Sequence, residues 1–375
     1  MRPPLARLLH MVSPSTAADL IGRTINLADE RLGARALFAT DDFFAPMARM
    51  LSPTEPEWRA GVYDENGKWM DGWESRRRRD QGHDYCIVQL AAPGKLALLD
   101  IDTRHFTGNY APFASVEACR VLGAPTAETD WTELLPYSPL AGDRQNLFEL
   151  QSAAVWSHLK LNIFPDGGVA RLRAYGSVHR DWTRSGTAGT GTAGTGAAGR
   201  GAAGLGAAGL GASGPSGAGD IDLVAALNGG RALECSDEHY GRMRTLLLPG
   251  RGLSMGDGWE TRRRREPGYD WVILALGHAG QIHAVEVDTG HFKGNFPHQI
   301  SVNAALLSAD EDDDLTSRCL YWPLLLEPQF LMADCVIEFR AELRDLGPIS
   351  HVRVNLHPDG GLSRLRLFGQ PVLLD

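Results

Sequence analysis

Two short motifs in this 375-residue sequence carry side chains suited to acid–base chemistry and anion binding, and each motif occurs twice. The segment DGWESRRRR at 71–79 returns as DGWETRRRR at 257–265, and DTRHFTGN at 102–109 returns as DTGHFKGN at 288–295. Histidine has an ordinary pKa of about 6.5, which suits proton transfer near neutral pH. The planar guanidinium group of arginine matches a carboxylate or a ureido carbonyl group. The two motifs together predict a site for a small anion.

The first motif places a carboxyl group beside a run of guanidinium groups. In an extended segment successive side chains alternate between two faces, so Glu74, Arg76 and Arg78 are predicted to share one face. Their counterparts in the second copy are Glu260, Arg262 and Arg264. We predict that these arginines bind the substrate and that the glutamates are alternative catalytic bases. The competing interpretation is a solvent-exposed ladder of salt bridges, which is typical of charged runs.

The second motif follows an apolar segment and enters a glycine-containing loop, where a rigid strand can aim functional groups. We predict that His105 and His291 transfer protons. The other predicted site residues are Asp102 and Asp288, which would orient the histidines, and Asn109 and Asn295, which would bind the substrate. The alternative is a hydrogen-bonded turn with a structural histidine, because Asp, Asn and Gly commonly build turns.

The motifs recur because a whole domain is duplicated. The segment RALFATDD at 35–42 pairs with RALECSDE at 231–238, and LKLNIFPDGGVARLRAYG at 159–176 pairs with VRVNLHPDGGLSRLRLFG at 352–369. The order of the motifs is the same in both halves, and only the lengths of the intervening loops differ. This pattern is not that of a short-period repeat. It predicts two tandem domains of one fold.

Short strands are predicted throughout both copies. The runs DYCIVQLA and LALLDID match DWVILALG and IHAVEVD, and all are apolar or alternating and bounded by Gly or Pro. In each copy two further strands flank a Pro-Asp-Gly-Gly turn, which predicts a β-hairpin. Long helical periodicity is scarce, and the best candidates for helices are the residues near 14–21 and 222–228. We therefore predict an all-β protein with a sandwich in each half.

A low-complexity segment separates the copies. Residues 185–219 are almost entirely Gly, Ala, Thr and Ser, so they have little apolar surface to bury and much backbone entropy to lose. This composition predicts a disordered Gly/Ala-rich linker. The predicted organisation is a first repeat at 15–182, a linker at 183–220 and a second repeat at 221–375.

Composition and charge argue against several other functions. The formal net charge of −9 offers no basic field to attract nucleic acid, and no apolar run reaches the ~18–20 residues of a membrane-spanning helix. The cysteines are scattered without a CxxC pair, which favours reduced thiols. The first residues lack the apolar core of a secretory signal, so we expect a cytoplasmic protein. A small metabolite is the expected partner, with no nucleic acid and no membrane.

No cofactor is expected from the motifs present. The sequence shows no HExxH, GxSxG, GxxxxGK[ST] or GxGxxG in a convincing context, which argues against the common zinc-protease, serine-hydrolase, P-loop and Rossmann functions. A divalent metal stays open as an alternative, because Asp, His and Glu can all be ligands although no spacing here is diagnostic.

With both motifs in tandem, the sequence resembles the allantoicase family. The resemblance also includes NLADERLGARALFATDDFFAP near the start and both NxxPDGGxxRLRxxG segments, and it extends from about Asp19 to Gly369 apart from the linker. It implies two tandem jelly-roll β-sandwich repeats of the galactose-binding-like kind. It further implies hydrolysis of allantoate to ureidoglycolate and urea in allantoin and purine degradation, and it favours a homo-oligomer.

The two copies differ at positions inside the motifs. Arg104 aligns with Gly290, and His83 aligns with Tyr269, which suggests that the copies do not do identical work. Three other functions compete with the hydrolase. They are a non-catalytic jelly-roll module that binds a small anionic or sugar ligand, a hydrolase of a related ureido compound, and nucleic-acid binding through the arginine runs, which the net negative charge opposes.

Overall fold

Antiparallel strands are the main regular secondary structure in both halves of the chain. The computed structural model describes residues 12–182, 219–307 and 314–373, and the chain divides into two units, Met1–His179 and Arg180–Asp375. Each unit repeats the same order of strands, so the prediction of an all-β protein with two tandem repeats is confirmed. The predicted linker at 183–220 lies almost entirely outside the described residues. The predicted boundaries at 15–182 and 221–375 stay predictions.

The strands of repeat 1 are short except for one that runs the length of the unit. They are β1 (Ile25–Asn26), β2 (Arg35–Ala39), β3 (Tyr63–Asp64), β4 (Gly67–Lys68), β5 (Trp73–Glu74), β6 (Asp84–Asp102), β7 (Phe113–Cys119), β8 (Thr132–Pro139), β9 (Leu147–Glu149), β10 (Trp156–Phe164), β11 (Gly168–Val169) and β12 (Arg171–Val178).

The long strand β6 joins two layers of repeat 1. Its first half pairs with β2 and β10, and β10 continues to β7 and β8. Its second half pairs with β9 and β12, and β12 continues to β1. Val88, Leu161 and Leu172 come from both layers and are fully buried in one apolar core. Burial of apolar surface between the layers therefore holds the sandwich together.

Repeat 2 is built in the same way around an equally long strand. Its strands are β13 (Ile221–Asp222), β14 (Arg231–Cys235), β15 (Trp259–Glu260), β16 (Asp270–Asp288), β17 (Gln299–Ala305), β18 (Leu324–Phe330), β19 (Val336–Phe339), β20 (Ile349–His357), β21 (Gly361–Leu362) and β22 (Arg364–Pro371). The strand β16 pairs with β14 and β20 through its first half and with β19 and β22 through its second half.

The strands on either side of the Pro-Asp-Gly-Gly turn do not pair with each other, so the hairpin prediction is wrong. In repeat 1, β10 pairs with β6 and β7, whereas β12 pairs with β6 and β1. Both strands are apolar enough to cover the core, and they do so from opposite layers. The chain between them forms β11, which pairs with β5. In repeat 2, β21 pairs with β15 in the same way.

Helices are few and short. The prediction near 14–21 is confirmed by α1 (Pro14–Arg23), which begins after Ser13, whose side chain accepts a hydrogen bond from the backbone of Thr16. The prediction at 222–228 is wrong, because β13 occupies its start and only the 3₁₀ turn Ala226–Asn228 follows before Gly229. A second helix is α2 (Leu315–Arg318). Further 3₁₀ turns are Glu30–Leu32, Met47–Leu51, Met243–Leu247, Met255–Asp257 and Cys319–Tyr321. None of the helices in the described ranges is long and apolar enough to span a membrane.

We expect Gly168→Ala to destabilise repeat 1. A Cβ atom at this position would lie 2.1 Å from the ring of Phe106, which is fully buried. Overpacking of this kind costs about 1–3 kcal/mol. Urea denaturation should show a lower free energy of unfolding, whereas Gly22→Ala, in α1 with nothing within 4 Å, should not lower it. Equal stability of Gly168→Ala and the wild type would contradict the packing described.

Candidate functional site

The Pro-Asp-Gly-Gly turn brings the two sequence motifs together. The backbone N–H of Ser75, in the first motif, donates to the carbonyl oxygen of Gly167 over 3.2 Å. The N–H of Gly168 donates to the carbonyl oxygen of Asn109, in the second motif, over 2.7 Å. The equivalent bonds of repeat 2 join Thr261 to Gly360 and Gly361 to Asn295. Segments far apart in sequence therefore meet at one edge of each sandwich.

A glutamate and an asparagine form the centre of this junction in both repeats. The side-chain amide of Asn109 donates to Oε1 of Glu74 over 2.7 Å, and that of Asn295 donates to Oε1 of Glu260 over 2.6 Å. Burial raises the pKa of Glu74, and the hydrogen bond from Asn109 opposes that rise. A carboxyl group that keeps its proton closer to neutral pH suits proton transfer. Asn109 and Asn295 thus contact the predicted catalytic glutamates.

Nε2 of each predicted histidine has a backbone carbonyl oxygen as its hydrogen-bond partner. Nε2 of His105 lies 3.0 Å from the carbonyl oxygen of Pro56, and Nε2 of His291 lies 2.8 Å from that of Gly252. A carbonyl oxygen only accepts hydrogen bonds, so Nε2 carries the proton in the neutral ring. This assignment leaves Nδ1 as the basic atom of each imidazole ring.

Both histidines also have strained backbones. Their φ angles are 68° for His105 and 71° for His291, in the left-handed region that side chains with a Cβ atom rarely adopt. A carboxylate holds each backbone N–H group, because Asp143 accepts from His105 over 2.8 Å and Asp334 accepts from His291 over 2.7 Å. Strain of this kind is commonly found where a side chain must be aimed for function.

The predicted pairing of aspartate with histidine does not form. Asp102 accepts from Nε of Arg104 over 2.9 Å and from Nη1 of Arg173 over 3.3 Å. Asp288 accepts two hydrogen bonds of 2.9 Å from Arg251. Both aspartates are buried, so a guanidinium partner is the compensation that their charge requires. The aspartates hold arginines and do not orient the histidines.

Arg76 and Arg262 are the exposed arginines among those predicted to bind substrate. Arg76 donates from Nε to Asp41 over 2.6 Å, and the backbone N–H of Arg262 donates to Asp237 over 2.7 Å. The Arg262 side chain stands farther from Asp237, with Nε and Oδ1 separated by 3.9 Å. Both guanidinium groups remain open to solvent at the junction.

Arg78 and Arg264 are engaged by buried carboxylates. Nη1 of Arg78 lies 2.6 Å from Oδ1 of Asp84, and Nη1 of Arg264 lies 2.9 Å from Oδ1 of Asp270. These aspartates begin the long strands β6 and β16. The two arginines therefore fix the arginine-rich loop to the sandwich.

A polar cleft of about 350 Å³ follows the arginine-rich loop of repeat 2. Its lining residues are Ser236, Asp237, Arg262, Arg263, Arg264, Arg265, Glu266 and Asp270. A cleft of this size is at the small end of pockets for small molecules. The arginine run of repeat 2 therefore lines an open polar cleft, and His291, Glu260 and Asn295 are not among the residues that line it.

Repeat 1 has a longer loop beside its histidine, and sequence reasoning missed the contribution of this loop. It forms the β3–β4 hairpin and places the ring centroid of Trp58 6.0 Å from that of His105. Nζ of Lys68 lies 3.6 Å from the centroid of the indole ring of Trp58. The only signal in the sequence is the extra length between the aligned motifs.

In the described parts of the chain, no three His, Cys, Asp or Glu side chains are grouped to hold a metal ion.

Known proteins match this chain both in sequence and in structure. A family model described as allantoicase repeat matches residues 25–179 and 221–372. A probable allantoicase from Photobacterium profundum is 49% identical over 92% of this chain and 96% of its own length. One from Stutzerimonas stutzeri is 49% identical over 93% of this chain and 96% of its own. The crystal structure of allantoicase from Saccharomyces cerevisiae matches with a TM-score of 0.74 and 28% identity, over 96% of this chain and 99% of that one.

The fold and these relatives together define a hydrolase built from two β-sandwich repeats. The proposed resemblance is confirmed, and the chain belongs to the allantoicase family.

We expect Asn109→Ala to raise the pKa of Glu74 further. The substitution removes the hydrogen bond that favours the ionised carboxylate and leaves the burial that disfavours it. Carbon-13 NMR titration of glutamate carboxyl groups should show one resonance that titrates at higher pH, and Glu74→Gln identifies this resonance by its loss. Thr107→Ala, in the same loop, should leave the titration unchanged. An unchanged midpoint in Asn109→Ala would contradict the assignment.

Proposed function

We propose that this chain converts allantoate and water to ureidoglycolate and urea in purine degradation, and that the histidine, glutamate and arginine side chains at the two junctions do this chemistry. The observation that carries the proposal is a doubled arrangement, in which a strained histidine with a fixed Nε2 proton shares its loop with the asparagine of a Glu–Asn pair. Both copies lie inside the residues that match the allantoicase repeat.

The reaction replaces one ureido group of allantoate by a hydroxyl group at a tetrahedral carbon. A carbon–nitrogen bond breaks, a carbon–oxygen bond forms, and a proton that originates from water ends on the departing urea. Nδ1 of His105 or His291 is the base, since the bond from Nε2 to a carbonyl leaves Nδ1 unprotonated. It removes the proton from water, which then attacks the carbon. Alternatively it removes the proton from a ureido nitrogen, whose electrons expel urea and leave an imine, and water then adds across the C=N bond with its hydroxyl group on carbon and its proton on nitrogen.

The remaining side chains bind the substrate and return the proton. Glu74 and Glu260 stand beside the same loops as the histidines and exchange a proton with the departing nitrogen. Burial of Glu74 supports this assignment, because it raises the pKa of the carboxyl group. Arg76 and Arg262, whose side chains are exposed, donate to the substrate's oxygen atoms. Asn109 and Asn295 hold the glutamates in place.

The cellular context is part of the same proposal. The substrate is a small molecule, and the chain takes no nucleic-acid or membrane partner, in keeping with its net charge of −9. We assign it to the cytoplasm and to a homo-oligomeric state.

The experiment is turnover of allantoate by the purified full-length protein, with and without a chelator. Urea and ureidoglycolate should appear in equal amounts. The double variant His105→Gln, His291→Gln should lose on the order of 10²–10⁴ in turnover, which is the usual contribution of a positioned acid–base group. His179→Gln exchanges an exposed histidine of repeat 1 and should retain full turnover.

Two outcomes would contradict the proposal. Absence of urea release by the folded wild-type protein would exclude the activity. Full turnover by the double histidine variant would exclude the histidines as bases while leaving the activity in place. The two single variants then show whether one or both repeats turn over substrate.

A further inference from the structure

A guanidinium group clamps the buried aspartate of each repeat, but it comes from a different position in the chain. In repeat 1 the clamp is Arg104, two residues after Asp102. In repeat 2 the residue two after Asp288 is Gly290, and the clamp is Arg251 from a preceding loop. The sequence alignment of the copies pairs Arg104 with Gly290 and therefore hides this equivalence.

Position 251 corresponds to position 55 in repeat 1. Each residue stands two places after a proline, in the aligned segments that begin at Met47 and Met243. The next residue in each repeat supplies the carbonyl oxygen that accepts from the histidine, Pro56 for His105 and Gly252 for His291. The structural counterpart of Arg251 is therefore Glu55.

Steric fit links the difference between Arg104 and Gly290 to the difference between Glu55 and Arg251. A Cβ atom at position 290 would lie 2.8 Å from Nη2 of Arg251 and 2.8 Å from Oδ1 of Asp288. Any side chain at position 290 therefore competes with Arg251 for the same space. The combination of Glu55 with Arg104 and the combination of Arg251 with Gly290 are two alternative ways to place one guanidinium group.

The two guanidinium groups differ in how much charge they offer to a ligand. Arg104 is also bonded to the carboxylate of Glu55, and 30% of its side chain is exposed. Arg251 uses Nε and Nη2 on Asp288 and has 62% of its side chain exposed. Within the described residues its Nη1 has no hydrogen-bond or ion-pair partner. Arg251 therefore presents unused N–H groups one residue away from the carbonyl that positions His291.

We propose that Arg251 binds the carboxylate of the substrate in repeat 2, and that Arg104 is the equivalent group in repeat 1, weakened there by Glu55. The proposal rests on the proposed function, because it names the group that recognises the anionic end of allantoate. A guanidinium edge already oriented by a buried aspartate loses little conformational freedom on binding a carboxylate.

The first test compares Arg251→Met and Arg251→Lys with Arg344→Met by steady-state kinetics on allantoate. Arg344 is an equally exposed arginine of repeat 2 in an ion pair with Glu327. We expect Arg251→Met to raise KM by roughly tenfold or more with a smaller change in kcat, since a charged hydrogen bond is lost. Arg251→Lys keeps the positive charge but lacks the two parallel N–H donors of the guanidinium group, and it should raise KM less. Arg344→Met should match the wild type.

The second test transfers the arrangement of repeat 2 into repeat 1. Arg104→Gly alone should raise KM, and the double variant Glu55→Arg, Arg104→Gly should bring it back toward or below the wild-type value. Glu55→Gln alone should lower KM, because it frees Arg104 from a competing carboxylate. Thermal unfolding followed by circular dichroism checks that each variant folds.

The outcomes separate this inference from the proposed function. If the wild type releases no urea, the proposed function fails, and calorimetric titration of allantoate into the same variants then tests carboxylate binding directly. If the wild type is active and Arg251→Met keeps its KM, the inference alone is overturned. A fall in kcat with unchanged KM would also overturn it, because that result describes a clamp that only holds the loop.

Discussion

The contact of a glycine with a buried aromatic ring is the constraint on which each site depends. Gly168 lies against Phe106 and Gly361 lies against Phe292, so closely that no side chain would fit between them. Phenylalanine belongs to the histidine-bearing loop, and glycine belongs to the strand that pairs with the segment bearing the glutamate. This close approach allows the hydrogen bonds between Glu and Asn to form across the junction. The apolar core thus sets the distance between the polar groups.

The same junction supports the strained histidine backbone. A left-handed conformation at a residue with a Cβ atom costs of order 1–3 kcal/mol, and the surrounding structure must offset this cost. The carboxylate of Asp143 and the buried side chain of Thr103 hold the loop on one side, while a carbonyl oxygen holds the imidazole ring on the other. Because repeat 2 has the same contacts around His291, the strain accompanies the site and not one particular loop sequence.

Much of this arrangement was predictable from sequence, and the exceptions share a physical cause. Duplication and strand content follow from local patterns of residues, whereas the meeting of the two motifs depends on long-range hydrogen bonds to the Pro-Asp-Gly-Gly turn. The partner of Asp102 does not follow from local patterns either, because several donors lie within reach of a buried carboxylate and the fold decides between them. The predicted pairing of β10 with β12 is wrong for the same reason. Two apolar strands that are joined by a turn can lie in one layer or in two. Trp58 lies in an insertion whose path no periodicity describes.

The two repeats supply the guanidinium group that binds the buried aspartate from different positions in the chain, while the geometry of the histidine is the same in both. The side chain of arginine is long enough to reach Asp288 from a preceding loop, so the residue two places after the aspartate can become glycine without leaving a buried charge unpaired. The exchange changes the charge at the mouth of the site, because repeat 1 retains Glu55 beside its arginine. Two sites with the same histidine geometry then differ in their attraction for an anion. An alignment of the two copies compares positions in the chain, whereas a ligand contacts the guanidinium group itself. Arg104 and Arg251 are therefore equivalent for the ligand although they do not align in sequence.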